Sequence, residues 1–226
     1  MLLEVCAYSL ASCITAQKAG AHRVELCAGP EVGGTTPAQG SIIAALELGI
    51  PVFPLARPRG GDFLYGPDEW VELLRTVRMC RRLGCPGVVA GAQLSDRRLD
   101  AGRMCRIVDA AGPMSVTCHK VFDQVPNDDE ALETLIGSGC RRVLTSGLAA
   151  NALSGARTLH RLVASSGGRI TVMPGGGVRS TNIRELVLAT GAREFHSSAI
   201  TGGTGGFRTD EAEVRALIVG LNQGGG

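Results

Sequence analysis

Arg57-Pro58-Arg59-Gly60-Gly61-Asp62-Phe63 sets two guanidinium groups, a carboxylate, two glycines and a proline directly after the apolar run from Ile50 to Ala56. Arginine keeps its charge at every physiological pH and presents a planar fork of donors matched to carboxylate or phosphate. The glycines let a ligand approach the main chain, and Pro58 sets the angle between the arginines. Arg57, Arg59 and Asp62 are therefore candidates for holding a small anion. The competing reading is a structural ion pair of Arg57 or Arg59 with Asp62.

A second anion candidate lies further along. Met173-Pro174-Gly175-Gly176-Gly177-Val178 and Phe195-His196-Ser197-Ser198-Ala199 each close an apolar run. Gly175, Gly176 and Gly177 permit close approach to backbone N–H groups, and the Ser197 and Ser198 hydroxyls can donate. The plain alternative is a sharp turn followed by a serine N-cap. His119 and His196 end apolar runs too, and each is a candidate acid or base, or else a satisfied structural histidine. For His119 the structural partner would be Asp123 or a backbone carbonyl. Glu25 can act as a base if burial raises its pKa, whereas an arginine partner would hold it ionised. Lys120 has the opposite parity to His119 and is a poor Schiff-base candidate. Cys6 and Cys27 occupy the ends of two successive strands. Adjacent strands lie about 4.8 Å apart, so the thiols can meet. Two thiols suit Cu(I), with Met173 as a possible third soft ligand; the alternative is a pair of buried free cysteines.

These residues need a scaffold that gathers strand ends. Strand-like runs at Leu2–Cys6, Arg23–Cys27, Val52–Arg57, Gly87–Gly91, Met114–His119, Arg142–Thr145, Ile170–Met173 and Glu194–His196 alternate with helical patterns. The helices are expected near Leu10–Ala19, Ala38–Leu48, Asp68–Leu83, Ala101–Ala110, Asp129–Ser138, Ala152–Ala164, Thr181–Ala189 and Asp210–Leu221. Eight such units at a spacing of roughly 25–30 residues indicate an α/β fold, a single-domain (β/α)8 TIM-type barrel over residues 1–226. A doubly wound open sheet is the alternative. Residues 222–226 read as a frayed tail. Pro54 conflicts with a long third strand, because it has no N–H for a ladder.

Alternation decides which side chains face the barrel axis. Leu3, Val5, Val24 and Leu26 form the apolar set expected to meet the helices, leaving Glu4, Cys6, Arg23, Glu25 and Cys27 inward. The same parity turns Arg57, His119, Thr145 and His196 inward and Cys118 outward. Buried charge needs a partner, and Glu4 and Glu25 are expected to be balanced by Arg57 and Arg59 near the mouth. Activity in such barrels sits at the C-terminal strand ends.

Composition narrows the partners. A formal charge of +2 and 4% aromatic residues argue against nucleic acid and against an anionic membrane. Met1-Leu2-Leu3-Glu4-Val5 has no basic leader region, and no apolar run reaches the length of a membrane span. The eight cysteines lack a C-x-x-C or zinc-ribbon spacing and suit free thiols in a reducing cytosol.

Together the motifs resemble the CutC family of copper homeostasis proteins. The resemblance rests on Leu3-Glu4-Val5-Cys6, Ala21-His22-Arg23-Val24-Glu25-Leu26-Cys27, Gly33-Gly34-Thr35-Thr36-Pro37, the Arg57–Phe63 segment, Val143-Leu144-Thr145-Ser146-Gly147, Met173–Val178 and His196-Ser197-Ser198-Ala199. It implies a cytoplasmic (β/α)8 barrel that assembles into homodimers or larger homo-oligomers such as tetramers, with Cu(I) at Cys6 and Cys27. Two segments depart from the family pattern. Cys118-His119-Lys120-Val121-Phe122-Asp123 stands where the family has Phe-His-Arg-Ala-Phe-Asp, and Phe207-Arg208-Thr209 lacks the family's Asn. A point charge at Lys120 in place of a guanidinium alters anion recognition if that side chain takes part. The implied function is a Cu(I)-binding barrel. The alternatives are an enzyme acting on a small phosphorylated or carboxylated metabolite at the mouth, with Glu25 and His119 as its acid–base groups, and an oligomeric scaffold whose mouth is vestigial.

Overall fold

The computed structural model describes residues 1–202 and 206–224. Among the described residues, eight strands alternate with eight helices. The order is β1 (Leu2–Ala7), α1 (Leu10–Lys18), β2 (Arg23–Leu26), α2 (Gln39–Leu46), β3 (Val52–Pro54), α3 (Pro67–Arg82), β4 (Gly87–Ala90) and α4 (Ala101–Ala111). It continues with β5 (Ser115–Cys118), α5 (Asp128–Ser138), β6 (Arg142–Thr145), α6 (Ala156–Ser166), β7 (Thr171–Pro174), α7 (Ile183–Thr190), β8 (Glu194–Ser197) and α8 (Glu211–Gln223). Side-chain oxygens start several helices by accepting orphan N–H groups. Ser9 caps α1, Asp100 caps α4, Asn127 caps α5 and Asp210 caps α8.

Every ladder is parallel. One runs β3-β2-β1-β8 and the other β4-β5-β6-β7. They meet on one side at the Leu55–Val89 bridge, where the Ala56 N–H donates to the Val89 carbonyl at 2.7 Å. On the other side β7 and β8 pack together. The result is a (β/α)8 barrel, as the spacing predicts.

Parity sorts the interior as expected. Leu3, Val5, Ala7, Val24 and Leu26 pack outward with the helices in one large apolar core, and Cys118 joins them. A second, small cluster fills the barrel axis: Cys6, Cys27, Phe53, Leu55 and Val89, with Tyr8 against it. Below that cluster lies a charged floor. Arg23 pairs with Glu4 and, at 2.8 Å, with Glu194. Arg142 reaches the same Glu194 carboxylate at 2.6 Å. The Arg23 and Arg142 guanidinium carbons lie 4.8 and 5.5 Å from the Phe53 ring centroid.

Several boundaries differ from expectation. β3 stops at Pro54 instead of reaching Arg57, because proline cannot extend the ladder. β5 stops at Cys118, and His119 becomes the cap of a short 3-10 turn over Lys120–Gln124. α6 starts at Ala156, four residues after the expected Ala152. Asn222 and Gln223 belong to α8 and are no frayed tail; Gly225 and Gly226 lie outside the described residues.

Gly87 on β4 faces the Phe53 ring so closely that a Cβ there would overlap it. Phe53 cannot retreat between the two arginines. Gly87→Ala should therefore destabilise the barrel by about 1–3 kcal/mol, read by urea denaturation. An unchanged midpoint would show that the floor can rearrange.

Candidate functional site

The C-terminal ends of the strands open into a cavity of about 280 Å³. Cys6, Tyr8, Glu25, Cys27 and His196 line its floor side, while Arg57, Phe63, His119, Lys120, Gly176, Gly177, Arg179, Ser197 and Ser198 line its walls.

The floor is assembled from β1, β2 and β8. Cys6 is the register partner of Glu25, and Glu4 is that of His196, so the pairing of β1 with both neighbours stacks these side chains in adjacent layers. The Cys6 and Cys27 sulfurs are 3.9 Å apart and buried. One ligand atom each from Cys6, Glu25 and His196 lies within 4.8 Å of the other two. His196 Nδ1 is 2.8 Å from a Glu4 carboxylate oxygen and Nε2 is 3.6 Å from Glu25. Spacing alone brings out the thiol pair but not the His196–Glu25–Cys6 group, whose members are far apart in the chain.

The protonation states follow from these contacts. For Glu4, burial opposes ionisation, but the His196 hydrogen bond and the Arg23 charge outweigh it and lower its pKa to about 2. For His196, burial opposes protonation, yet hydrogen bonds to Cys6 and Glu4 and the charges of Glu25 and Glu4 lift its pKa to about 10. Cys6 is held well below an ordinary thiol by the Cys27 hydrogen bond, against burial, with His196 assisting. Burial pushes Glu25 well above the carboxylate range, and the neighbouring Cys6 charge adds to it. Cys27 is raised by burial and by Cys6. These directions favour a charged His196 on an ionised Glu4 and a neutral Glu25, with the first proton lost from the coupled Cys6–Cys27 pair drawn off by the imidazole side. Among the described residues Glu25 has no arginine partner, and burial raises its pKa, which is the condition the sequence reading set for a base there.

The wall differs from the sequence expectation in several places. Arg57 is buried and ties loops together: Nη1 donates to the Val32 and Gly34 carbonyls at 3.0 and 2.7 Å, and Nη2 to Gly61 at 2.7 Å. It stacks 4.8 Å from the Phe63 ring centroid and does not neutralise Glu4 or Glu25. Arg59 and Asp62 stand outside the cavity. Arg59 pairs with Asp62 at 2.9 Å and also with Glu69, so the structural ion pair is what forms there. Arg23 and His196 supply the balance for Glu4 that Arg57 and Arg59 were expected to give. Met173 is no neighbour of the thiols; its sulfur accepts from Arg23 at 3.4 Å in the floor.

His119 is not held by Asp123, whose carboxylate accepts from Thr145, Ser146 and Leu148. Its Nδ1 accepts the Val121 N–H at 3.2 Å, and burial with the nearby Arg57 charge lowers its pKa to about 3. Gly175 lies behind the cavity, where a Cβ would overlap Leu144 and come within 3.3 Å of the His196 Cβ. Ser197 Oγ donates to the Val178 carbonyl at 2.7 Å, while Ser198 Oγ accepts from Arg179 at 3.3 Å. Lys120 reaches the cavity despite its parity, because the strand ends before it. Tyr8 and Arg179 were not foreseen; Arg179 follows the glycine run by two residues, which is the signal that marks it.

The chain is a parallel (β/α)8 barrel with Cys6, Glu25 and His196 gathered at its C-terminal mouth, and the comparisons narrow it further. The CutC family profile matches residues 1–201. A CutC family protein of Chromobacterium violaceum is 49% identical over 199 residues, covering 88% of this chain and 81% of that protein. A CutC crystal structure from Streptococcus agalactiae superposes with a TM-score of 0.85 at 30% identity, covering 89% of this chain and all of that one. Thiamine phosphate pyrophosphorylase of Pyrococcus furiosus, at 14% identity and a TM-score of 0.67 over 100% of this chain and 97% of its own, shares the fold alone. The chain belongs to the CutC family.

The Glu4–His196 pair has a pH signature. A raised His196 pKa contributes stability that is complete below the unfolded value near 6.5 and is lost as pH rises through about 10. Glu4→Gln removes one hydrogen bond and one charge from the ring. It should lower the His196 pKa by about 1–3 units in a 15N NMR titration and bring the alkaline loss of stability to lower pH. An unmoved His196 titration would assign the shift to other groups.

Proposed function

We propose that this protein binds Cu(I) through Cys6 and Cys27, with His196 and Glu25 beside the metal position. The carrying observation is the 3.9 Å separation of two buried sulfurs at the mouth of the barrel. Metal–thiolate bonds of about 2.3 Å can join sulfurs up to roughly 4.6 Å apart, so one ion reaches both. The donor set agrees with a soft monovalent ion: thiolates first, then imidazole, in a pocket walled by Leu55. A site dominated by hard oxygen donors would be required for magnesium or calcium.

Family membership supports the same reading. The streptococcal relative is described, provisionally, as a copper homeostasis protein. All eight cysteines are free, which suits a reducing cytosol where copper is carried as Cu(I). The ion is cargo in this reading, and the chain's task is to hold and release it. Binding must displace the Cys27 proton, and the imidazolium proton as well if His196 ligates, so uptake is coupled to proton release.

Anaerobic titration against a chromophoric Cu(I) chelator should give one tightly held ion per chain. Cys6→Ser/Cys27→Ser should lose it, by at least about 100-fold, or roughly 2.7 kcal/mol. Cys118→Ser, whose sulfur lies in the outer core, should keep it. Equal stoichiometry and affinity in the double variant would remove the site.

A further inference from the structure

Cu(I) makes no use of the cavity wall formed by the loops after β5, β7 and β8. Gly176 and Gly177 have φ of +92° and +70°, a successive left-handed pair that leaves their N–H groups turned out of any ladder. Among the described residues no acceptor takes the N–H of Gly176, Gly177 or Ser198. Lys120 Nζ lies 3.0 Å from where a Cβ on Gly176 would stand, and among the described residues it has neither ion pair nor hydrogen bond. Arg179 is fixed beside the same space, its Nη1 donating to the Val178 carbonyl at 2.8 Å and to Ser197 Oγ at 3.3 Å and its Nη2 to Ser198 Oγ and the Ile200 carbonyl at 3.3 Å, and no carboxylate answers its charge among the described residues. Two cations, three free N–H groups and a hydroxyl thus border one space.

A separate observation comes from the opposite wall. His119 lines the cavity, is 5% exposed, and among the described residues its Nε2 has no hydrogen-bond partner. Because Nδ1 accepts the Val121 N–H, the neutral ring carries its proton on Nε2. A buried donor without an acceptor is destabilising, and a ligand oxygen that takes its proton removes that cost. The neutral ring suits a carbonyl or hydroxyl oxygen, whereas the Lys120 and Arg179 side suits a multiply charged oxyanion.

We propose that the cavity binds a small phosphorylated organic molecule. Its phosphate is cradled by Lys120, Arg179 and the N–H groups of Gly176, Gly177 and Ser198, and an oxygen of its body accepts the Nε2 proton of His119. A phosphate monoester carries between one and two negative charges at neutral pH and three acceptor oxygens, which matches donors converging from three loops. The volume of about 280 Å³ limits the ligand to a small one. The site stands on residues other than the thiol pair and is independent of the copper reading.

The test is calorimetric titration of the full chain with inorganic phosphate and with dihydroxyacetone phosphate, which adds a carbonyl close to the ester. Wild type should bind both. Cys6→Ser/Cys27→Ser should bind inorganic phosphate within about twofold of wild type, which separates this site from the metal site. Lys120→Met, at an exposed side chain without partners among the described residues, should weaken both probes at least about tenfold. His119→Asn should weaken dihydroxyacetone phosphate about tenfold and leave inorganic phosphate within about twofold. Wild type binding neither probe, or Lys120→Met binding phosphate as wild type does, overturns the cradle. Unchanged affinity of His119→Asn for dihydroxyacetone phosphate overturns the role of His119.

Discussion

The Glu4 carboxylate is the interaction on which the site depends. It is completely buried and receives Arg23 from the floor and His196 from the mouth. A carboxylate in such a place is tolerable only with charged, hydrogen-bonding partners. Each partner is then committed in turn. Arg23 also holds Glu194, which holds Arg142. His196 becomes an imidazolium, and a charged imidazole beside Cys6 favours a thiolate there. The charge order of the barrel axis therefore runs upward from the floor to the sulfur at the mouth. Removing Glu4 would leave Arg23 half-paired and His196 without its anion, so the floor and the site cannot be altered independently.

This coupling explains why the mouth keeps two chemical halves apart. The Cys6, Cys27 and Glu25 side holds soft or protonatable groups in a nearly dry corner. The Lys120 and Arg179 side holds permanent or near-permanent cations with more access to water. Placing thiolate and guanidinium groups in direct contact would have satisfied both charges internally and left nothing for a ligand.

The barrel was legible in the sequence because its two periodicities are written locally. Leu3, Val5, Val24 and Leu26 alternate with Glu4, Cys6, Arg23 and Glu25, and parity alone put the second set inside. The thiol pair was legible for the same reason, since β1 and β2 are sequence neighbours and pair directly. The His196–Glu4 contact was not, because it joins residues 192 positions apart through barrel closure, and spacing carries no information about which first-strand residue meets the last strand. Lys120 was misjudged because alternation was extended past the end of β5. Once His119 caps a 3-10 turn, side-chain direction follows the turn and no longer the pleat.

Arg57 carries a more general point about arginine near strand ends. Its position predicts a ligand contact and its chemistry permits one, yet its donors are spent on the Val32, Gly34 and Gly61 carbonyls. Those carbonyls belong to loops without ladder partners of their own, and a buried fork of donors is the cheapest way to satisfy several at once. Among the described residues its Nε has no partner, and its charge reaches His119, where it adds to burial in opposing protonation. Arg57 thus acts on the cavity at one remove. It fixes the loop that presents Phe63 to the His119 ring, 4.6 Å between centroids, and its charge adds to the burial that keeps that ring neutral. A guanidinium whose Nη donors are spent on backbone carbonyls can therefore still influence the hydrogen-bonding character of the cavity wall beside it.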